Sequence, residues 1–346
     1  MTYHPLKELF LCRLRQFYRE PEVVFWTYGF PLLMIVGLGI AFRSKAPDRV
    51  PVDVVQSETS AAVVAALKEA PGGLFDVHVS EPALAMERLR LAKTSLVVEP
   101  SVDGNTYRYD PSRPECITAR AQVDDALQRA AGRKDAVSAT DRLVTEPGSR
   151  YIDFLVPGLL GMNLMGGGMW GIGYVIVDMR VRRLLKWMVA SPMRRRDMLL
   201  SLVGGRLLFT VPEMAAVLAA GVLLFGIHVA GSVASALVVG LVGAACFAGI
   251  GLLSACRAKK IETISGLMNL IMLPMWLFSG IFFSYERFPA FLHPYIKALP
   301  LTQLNNALRA VILEGAPLTS QWFPLAYLGG LGAVCFLLAL RWFRWT

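Results

Sequence analysis

Six apolar stretches, each long enough to cross a lipid bilayer, constrain this chain more than any other feature of its sequence. The hydrocarbon core of a bilayer needs about 20 mainly apolar residues in one helix. The first stretch, Val23 to Phe42, has no charged residue, and it is longer than the apolar segment of a cleaved signal peptide. The others run from Phe154 to Val177, Leu199 to Ile227, Val233 to Ala255, Ile264 to Phe283 and Phe323 to Leu340. With 55% hydrophobic and 18% charged residues, the chain is predicted to be an α-helical polytopic membrane protein with six transmembrane helices.

Basic residues are concentrated in loops on one side of these stretches. They lie before the first, between the second and third, between the fourth and fifth, and after the sixth. The short connections on the opposite side contain only three basic residues, Arg287, Lys297 and Arg309. Short cytoplasmic loops carry such an excess of lysine and arginine. The sequence therefore predicts a multi-pass protein of the cell (inner or plasma) membrane with cytoplasmic N- and C-termini, and it attributes the net charge of +9 to this asymmetry.

A long polar segment, residues 43–152, separates the first two stretches. Its fifteen basic and sixteen acidic residues give no net positive charge, and segments such as "VPVDVV" and "SAAVVAALKEA" alternate between strand-like and helix-like patterns. The sequence predicts a small extracytoplasmic α/β domain here. A polar helical run over residues 119–144, with a break at Gly132, leads back to the membrane. A vestibule, a docking site for an outer partner and a cap without chemistry are all compatible with this pattern.

The motifs of common enzymes are absent from the sequence. It contains no GxxxxGK[ST], GxGxxG, HExxH or GxSxG, its four histidines are scattered, and its five cysteines form no CxxC pair. We therefore predict no catalytic, cofactor-binding or metal site on this chain. An intramembrane active site without a short motif is a weaker alternative.

The loop "VRRLLKWMVASPMRRRD", Val181 to Asp197, combines a basic cluster with an ordered apolar pattern. Residues at helical spacing from Val181 form one apolar face, and Pro192 stops the helix. Attraction to anionic lipid explains the charge alone. Nucleic-acid binding is disfavoured because Trp187 is the only aromatic residue of this loop that could stack on a base. Docking to a cytoplasmic partner protein uses both the apolar face and the arginines.

Three segments resemble the ABC-2 type transporter permeases, the membrane subunits of ABC exporters with the type V fold. They are "FYREPEVVFWTYGFPLLMIVGLGIAF", "LLKWMVASPMRRRDMLL" and "LPMWLFSGIFFSYERFPAFLHPYIKALPLTQLNNALRAVILEG". The third is the most specific, with its Ser-Gly, paired phenylalanines and Leu-Pro-Leu-Thr. The sequence departs from the family where "DMRVRRLL" replaces a Glu and Gly-Thr pattern before the leucines, which affects the details of contact with the ATP-binding subunit.

The resemblance implies a permease subunit that moves a cargo outward from the cytoplasm or inner leaflet. ATP and magnesium would bind to a separate ABC ATP-binding subunit, and the permease would pair with a second copy or a paralogous permease. The implied contacts of the coupling helix, residues 181–192, with this subunit come from Arg182, Arg183, Leu184, Leu185, Met188, Val189, Ser191 and Pro192. A non-ATP-coupled scaffold or channel in the lipid bilayer is the alternative function.

The sequence is thus predicted to have four parts. Residues 1–22 form a cytoplasmic amphipathic interfacial helix, 23–42 the first transmembrane helix, 43–152 the extracytoplasmic domain, and 153–346 the remaining helices. Within the last part, residues 286–316 are expected to form a re-entrant segment marked by Pro289, Pro300 and Arg309.

Polar residues within the apolar stretches are candidates for the translocation path, because a charge at the centre of a membrane helix is costly. Arg206 and Glu213 share a helix face but lie about 10 Å apart along the axis, so no direct ion pair is expected. Arg206 is predicted to reach towards cytoplasmic headgroups. Glu213, Asn163 and Asn269 either line the path or make interhelical hydrogen bonds.

Overall fold

The protein is mostly helical, as the sequence predicts. A computed structural model describes residues 5–41, 49–101, 104–134, 150–190 and 195–344. It is 73% helical and contains six helices long and apolar enough to cross a membrane. In chain order these spans 1 to 6 are Pro21–Ala41, Tyr151–Val181, Asp197–Phe225, Val233–Ala255, Ile261–Phe278 and Leu318–Trp342. The chain forms two compact units, one made of all six spans and one of residues 44–144.

The helical N-terminal part of the spanning unit is interrupted twice, first at Glu20 and then by a π-helical turn. Helix α1 is Pro5–Arg19, and span 1 comprises α2 (Pro21–Val24), a π-helical turn (Phe25–Gly29) and α3 (Phe30–Ala41). Pro21 opens α2 because proline lacks the N–H that a first helical residue leaves unpaired. Phe17 is buried, and its ring stacks on that of Phe209 in span 3 at 4.0 Å between centroids. The predicted amphipathic helix is therefore attached to the bundle on at least one side.

The second unit has an α/β fold. Its elements are β1 (Val50–Val55), α4 (Ser60–Lys68), β2 (Phe75–Ser80), α5 (Pro82–Arg90), β3 (Leu96–Ser101), β4 (Gly104–Arg108) and α6 (Pro114–Ala130). The strand order is β2-β1-β3-β4, with β1 parallel to both neighbours and β4 antiparallel to β3. Helix α6 ends two residues before Gly132, whose φ of 98° favours glycine. The predicted continuation over residues 135–144 lies outside the described residues.

The rest of the chain forms the main bundle. Span 2 comprises α7 (Tyr151–Met169), a π-helical turn (Trp170–Tyr174) and α8 (Val175–Val181), and a short helix, α9 (Leu184–Ala190), follows. Spans 3, 4 and 5 are α10 (Arg195–Phe225), α11 (Val233–Ala255) and α12 (Ile261–Phe278). Two 3-10 turns (Tyr285–Arg287 and Ala290–Leu292), α13 (His293–Lys297), α14 (Pro300–Ile312), a 3-10 turn (Leu318–Gln321) and α15 (Trp322–Trp342) complete it.

Glycines allow spans 2 and 4 to pack at backbone distance. A Cβ placed on Gly251 of α11 would lie 2.9 Å from Met169 Cα, and one on Gly168 of α7 would lie 2.7 Å from Phe247 Cβ. A Cβ placed on Gly249 would likewise lie 2.7 Å from the carbonyl oxygen of Gly332 in α15. Small residues at such crossings let helices approach closely within a membrane, where helix association depends on van der Waals packing.

Candidate functional site

A buried ion pair lies inside span 3. Arg206 Nη2 is 2.7 Å from Glu213 Oε2, and the two side chains are 8% and 1% exposed. The expectation that seven residues of separation prevent a direct pair is wrong. Helical side chains lean towards the N-terminus. Glu213 therefore extends back towards Arg206, and the long arginine side chain turns against this tendency, towards the C-terminus, to close the remaining distance.

The ion pair is connected to two other spans. Asn163 of α7 donates from Nδ2 to Glu213 Oε1 at 2.6 Å and to the carbonyl of Thr27 at 3.3 Å. Tyr28 donates its hydroxyl to the carbonyl of Phe209 at 3.4 Å. Asn163 and Glu213 thus make one of the interhelical hydrogen bonds that the sequence allowed. Spans 1, 2 and 3 are joined by polar contacts at this depth.

Asn269, the third polar residue considered from the sequence, lies elsewhere. It is exposed on the surface of α12 and does not line the cavity beside Arg206. The structure therefore brings together two of the three predicted path residues. The role of Asn269 stays a prediction, and a polar group on the outer surface of a span is expected to face water or another protein chain.

Two glycines of α7 and its π-helical turn make room for the arginine. The guanidinium of Arg206 fills the space above Gly167, and its Cδ lies 3.7 Å from where a Cβ of Gly171 would be. The π-helical turns of spans 1 and 2 both border this region, since Thr27 and Gly171 belong to them. Wide turns of this kind are frequent at functional sites. The glycines of the sequence "GGGMWGIG" are typical of close helix packing, but they do not indicate that the packed group is a guanidinium.

A cavity of about 680 Å³ opens beside the ion pair. Its walls come from α1, spans 1, 2 and 3, and α12, and most of them are apolar. Its described lining includes seven aromatic residues: Phe17, Trp26, Phe30, Trp170, Tyr174, Phe209 and Trp276. The charged residues among its described lining are Glu20, Glu22 and Arg206. Pockets for small molecules have this size and this mixture of apolar walls with a few polar groups.

The predicted coupling helix is shorter than its apolar pattern suggested. Helix α8 ends at Val181, and α9 begins at Leu184. The expectation of one continuous face starting at Val181 is therefore wrong. Arg183 has a φ of 61°, in the left-handed region, and an α-helix cannot pass through such a residue. Arg182, the other linking residue, donates from Nε to Asp178 Oδ1 at 2.9 Å.

The two faces of α9 differ in burial. Leu185 is 1% exposed, and Met188 packs against the same core, so both side chains hold α9 on the spans. Leu184 and Trp187, three residues apart, are 42% and 77% exposed. Of the predicted apolar face, Val181, Leu184, Leu185, Met188 and Val189, the structure places Leu185 and Met188 against the spans. The exposed large apolar side chains of α9 are Leu184 and Trp187. The side chain of Val189, and Ser191 and Pro192, lie outside the described part of the chain.

Arg180 connects the end of span 2 to span 4 and to the C-terminal segment. Its guanidinium donates to the carbonyls of Ala255 at 2.9 Å and Cys256 at 3.2 Å, and to that of Ala258. It also donates to the carbonyl of Arg344 at 2.9 Å. The last carbonyls of a helix have no partner within it. Arg180 satisfies those of α11, a role that the sequence reasoning missed by counting it only as an orientation charge.

Arg309 has a related role at the opposite end of the bundle. It donates to the carbonyls of Phe154, at 3.3 Å, and of Gly280, and its guanidinium lies 3.7 Å from the centroid of the Phe154 ring. Pro300 opens α14, and Pro289 caps a 3-10 turn. The predicted re-entrant residues therefore start short helices, and Arg309 attaches α14 to α7 and to the end of span 5.

Arg150 is a third arginine that satisfies a helix end, and it was also missed. It donates from Nη1 to the carbonyl of Phe225 at 3.0 Å and from Nη2 to that of Gly226 at 3.1 Å, where α10 ends. It also pairs with the buried Asp153 at 2.9 Å. Unsatisfied backbone groups are costly near lipid. Three arginines in or against span 2 thus attach it to the C-terminal ends of spans 3, 4 and 5.

Comparison with known proteins identifies the family. No curated protein matches the chain. A family model described as ABC-2 family transporter protein matches residues 21–341. This match runs from the first residue of span 1 almost to the end of span 6 and includes the α/β unit. The chain therefore belongs to the ABC-2 transporter family and is a multi-pass membrane permease subunit of an ABC transporter.

Proposed function

We propose that this permease exports its cargo, from the cytoplasm or inner leaflet outward, by coupling to ATP hydrolysis on a separate ABC ATP-binding subunit. The observation that supports this most is the division of α9 into two faces. Leu185 and Met188 anchor it to the spans, whereas Leu184 and Trp187 are left exposed. A short helix with an anchored face and a free apolar face is suited to occupying a cleft on a partner and transmitting its movement.

The connection between α9 and the spans is short. Two residues, Arg182 and Arg183, separate α9 from span 2, and Arg182 is held by its ion pair with Asp178. Arg180 then attaches this end of span 2 to α11 and to the carbonyl of Arg344. A displacement of α9 on ATP binding would therefore act on span 2 and span 4 together. In energetic terms, nucleotide favours one membrane conformation by making different contacts in each.

The proposed arrangement has cytoplasmic termini and an extracytoplasmic α/β unit in the cell membrane. ATP and magnesium bind to the partner, and the permease pairs with a second copy or a paralogue. Support comes from the basic loops and from uneven burial of the spans. Within the single chain, 61% of the apolar stretch of span 4 is buried, but only 17%, 22% and 22% of those of spans 1, 5 and 6. These three spans offer surface for lipid and for a second permease.

Docking is tested by placing a charge on the exposed face of α9. Leu184→Asp and Trp187→Asp should each weaken co-purification with the ABC ATP-binding subunit, because truncating or charging an apolar anchor at an interface costs about 2 kcal/mol or more, roughly thirtyfold in affinity. Matched controls are Leu223→Asp and Trp322→Asp, since both residues are exposed and lie outside α9. Undiminished capture of the ATP-binding subunit by both α9 variants would contradict the docking surface.

Transport in proteoliposomes separates the proposal from a scaffold or channel. The reconstituted complex should move cargo with ATP and lose this activity with a hydrolysis-deficient ATP-binding subunit. Cargo flux that is unchanged by nucleotide would indicate the non-ATP-coupled alternative.

A further inference from the structure

We propose that the cavity beside Arg206 binds organic cations that carry a bulky apolar body, and that such cations are the cargo class of this permease. The inference rests on the proposed export function in one respect only, which is that the bound cations are the exported cargo. Binding itself depends only on the residues that line the cavity.

The size and walls of the cavity fit a molecule of this kind. Its volume of about 680 Å³ lies within the range of pockets that hold drug-sized ligands. The walls are mostly apolar and include aromatic rings from three different spans, Trp26 in span 1, Trp170 in span 2 and Trp276 in span 5. The apolar part of such a molecule would leave water and pack against these rings, and the faces of tryptophan rings also attract cations.

The charges around the cavity favour a cation over an anion. Glu20 and Glu22 contribute two carboxylates to its lining. Arg206 is the basic residue among the described lining, and its charge is already balanced by Glu213 at 2.7 Å. The guanidinium of Arg182 is likewise engaged with Asp178. Among the described residues Glu20 and Glu22 form no ion pair, although Glu20 accepts a hydrogen bond from Gln16 at 3.0 Å and lies near the charge of Arg182. The lining therefore carries net negative charge at one end and a neutralised pair at the other.

The positions of these groups suggest an orientation for the ligand. Glu20 and Glu22 flank the start of α2, at the end of span 1 that the basic loops place at the cytoplasmic surface. Asn163 and Arg206 lie further along spans 2 and 3. A cation held by the glutamates would extend its apolar body between the spans. This is the direction in which a cargo taken from the inner leaflet has to enter.

Tetraphenylphosphonium and tetraphenylborate provide a direct test, because they have nearly the same size and shape and opposite charge. Each is titrated into the full-length permease in lipid nanodiscs, without nucleotide or ATP-binding subunit, and binding to empty nanodiscs is subtracted. Tetraphenylphosphonium should bind saturably, and tetraphenylborate should not. Equal saturable binding of the two ions, or saturable binding of neither, would overturn the proposal.

Substitutions assign the binding to this cavity. Glu20→Gln and Glu22→Gln should each weaken tetraphenylphosphonium binding by about two- to fivefold, as expected when one partly solvated charge pair is lost. Trp26→Leu should weaken it about two- to thirtyfold. Glu262→Gln and Trp322→Leu are matched controls, since both residues are exposed and do not line the cavity. Unchanged affinity in the double variant Glu20→Gln/Glu22→Gln would contradict the assignment.

The outcome is independent of the docking proposal. Leu184→Asp and Trp187→Asp should lose the ATP-binding subunit but bind tetraphenylphosphonium as the wild type does. Absence of cation binding in a permease that still docks and transports would reject the cargo class alone. Cation binding by a permease that never engages an ATP-binding subunit would reject the coupling alone.

Discussion

The guanidinium of Arg206 occupies the space that a side chain on Gly167 would fill. Gly167→Ala should therefore displace the arginine from Glu213 and destabilise the fold by about 1–3 kcal/mol, the usual cost of overpacking. Gly166→Ala is the matched control, because the nearest atom to its Cβ would be Met272 Cε at 4.0 Å. The melting temperatures of the two variants in detergent measure the difference. Equal melting temperatures would show that the Arg206 side chain can adopt another position without loss of stability.

The ion pair between Arg206 and Glu213 should appear as a strong coupling energy. Glu213→Gln leaves a buried guanidinium without its counter-charge, for which the usual cost is about 3–5 kcal/mol. The double variant Arg206→Met/Glu213→Gln removes both charges and should recover much of the lost stability. Thermal unfolding of the two single variants and the double variant gives this cycle. Additive losses would contradict a direct interaction.

Arg180 should protect the C-terminal end of span 4 from solvent. Cys256 is 2% exposed, and its carbonyl accepts a hydrogen bond from this arginine. Hydrogen bonds to charged groups contribute about 1.5–3 kcal/mol. Arg180→Met should therefore raise the rate of maleimide labelling at Cys256 by about tenfold or more. A Cys12→Ser background removes the exposed thiol.

The control for Arg180 is Arg182→Met. Arg182 is exposed, and it pairs with Asp178 of α8 rather than with the end of span 4. Labelling of Cys256, read by mass spectrometry of its peptide, should stay at the wild-type rate in this variant. A similar increase in both variants would point to a general effect of lost positive charge.

Arg309 should hold α14 in place. Arg309→Met removes hydrogen bonds to the carbonyls of Phe154 and Gly280 and the contact with the Phe154 ring. Backbone amides of α14 should then exchange hydrogen faster by about tenfold or more. Arg287→Met, an exposed residue in the same connection, is the control and should leave exchange in α14 unchanged.

The spans could be predicted from the sequence because bilayer thickness sets their length. All six are present, with ends that differ from the expected ones by a few residues. The alternation of strands and helices between spans 1 and 2 could also be predicted. Apolar residues recur about every two positions in a half-buried strand and every 3.6 positions in a helix, so the two patterns can be told apart. Pro300 stands in the first turn of α14, a position that proline favours in helices.

Contacts between side chains could not be read in the same way. The pair between Arg206 and Glu213 depends on side-chain direction and on the glycine opposite, which spacing along the axis does not describe. The break at Arg183 is a backbone conformation that few arginines adopt, so the apolar pattern around it looked continuous. The carbonyl partners of Arg150 and Arg180 carry no side-chain signature.

The backbone contact between Gly251 and Met169 limits how this protein can change shape. At this crossing the backbones of spans 2 and 4 approach with no side chain between them, so the two helices cannot slide past each other without a clash. We expect them to act as a stiff frame that turns as one piece. The parts free to shift against this frame are then spans 1 and 5, the ones least covered by the rest of the chain among those that wall the cavity.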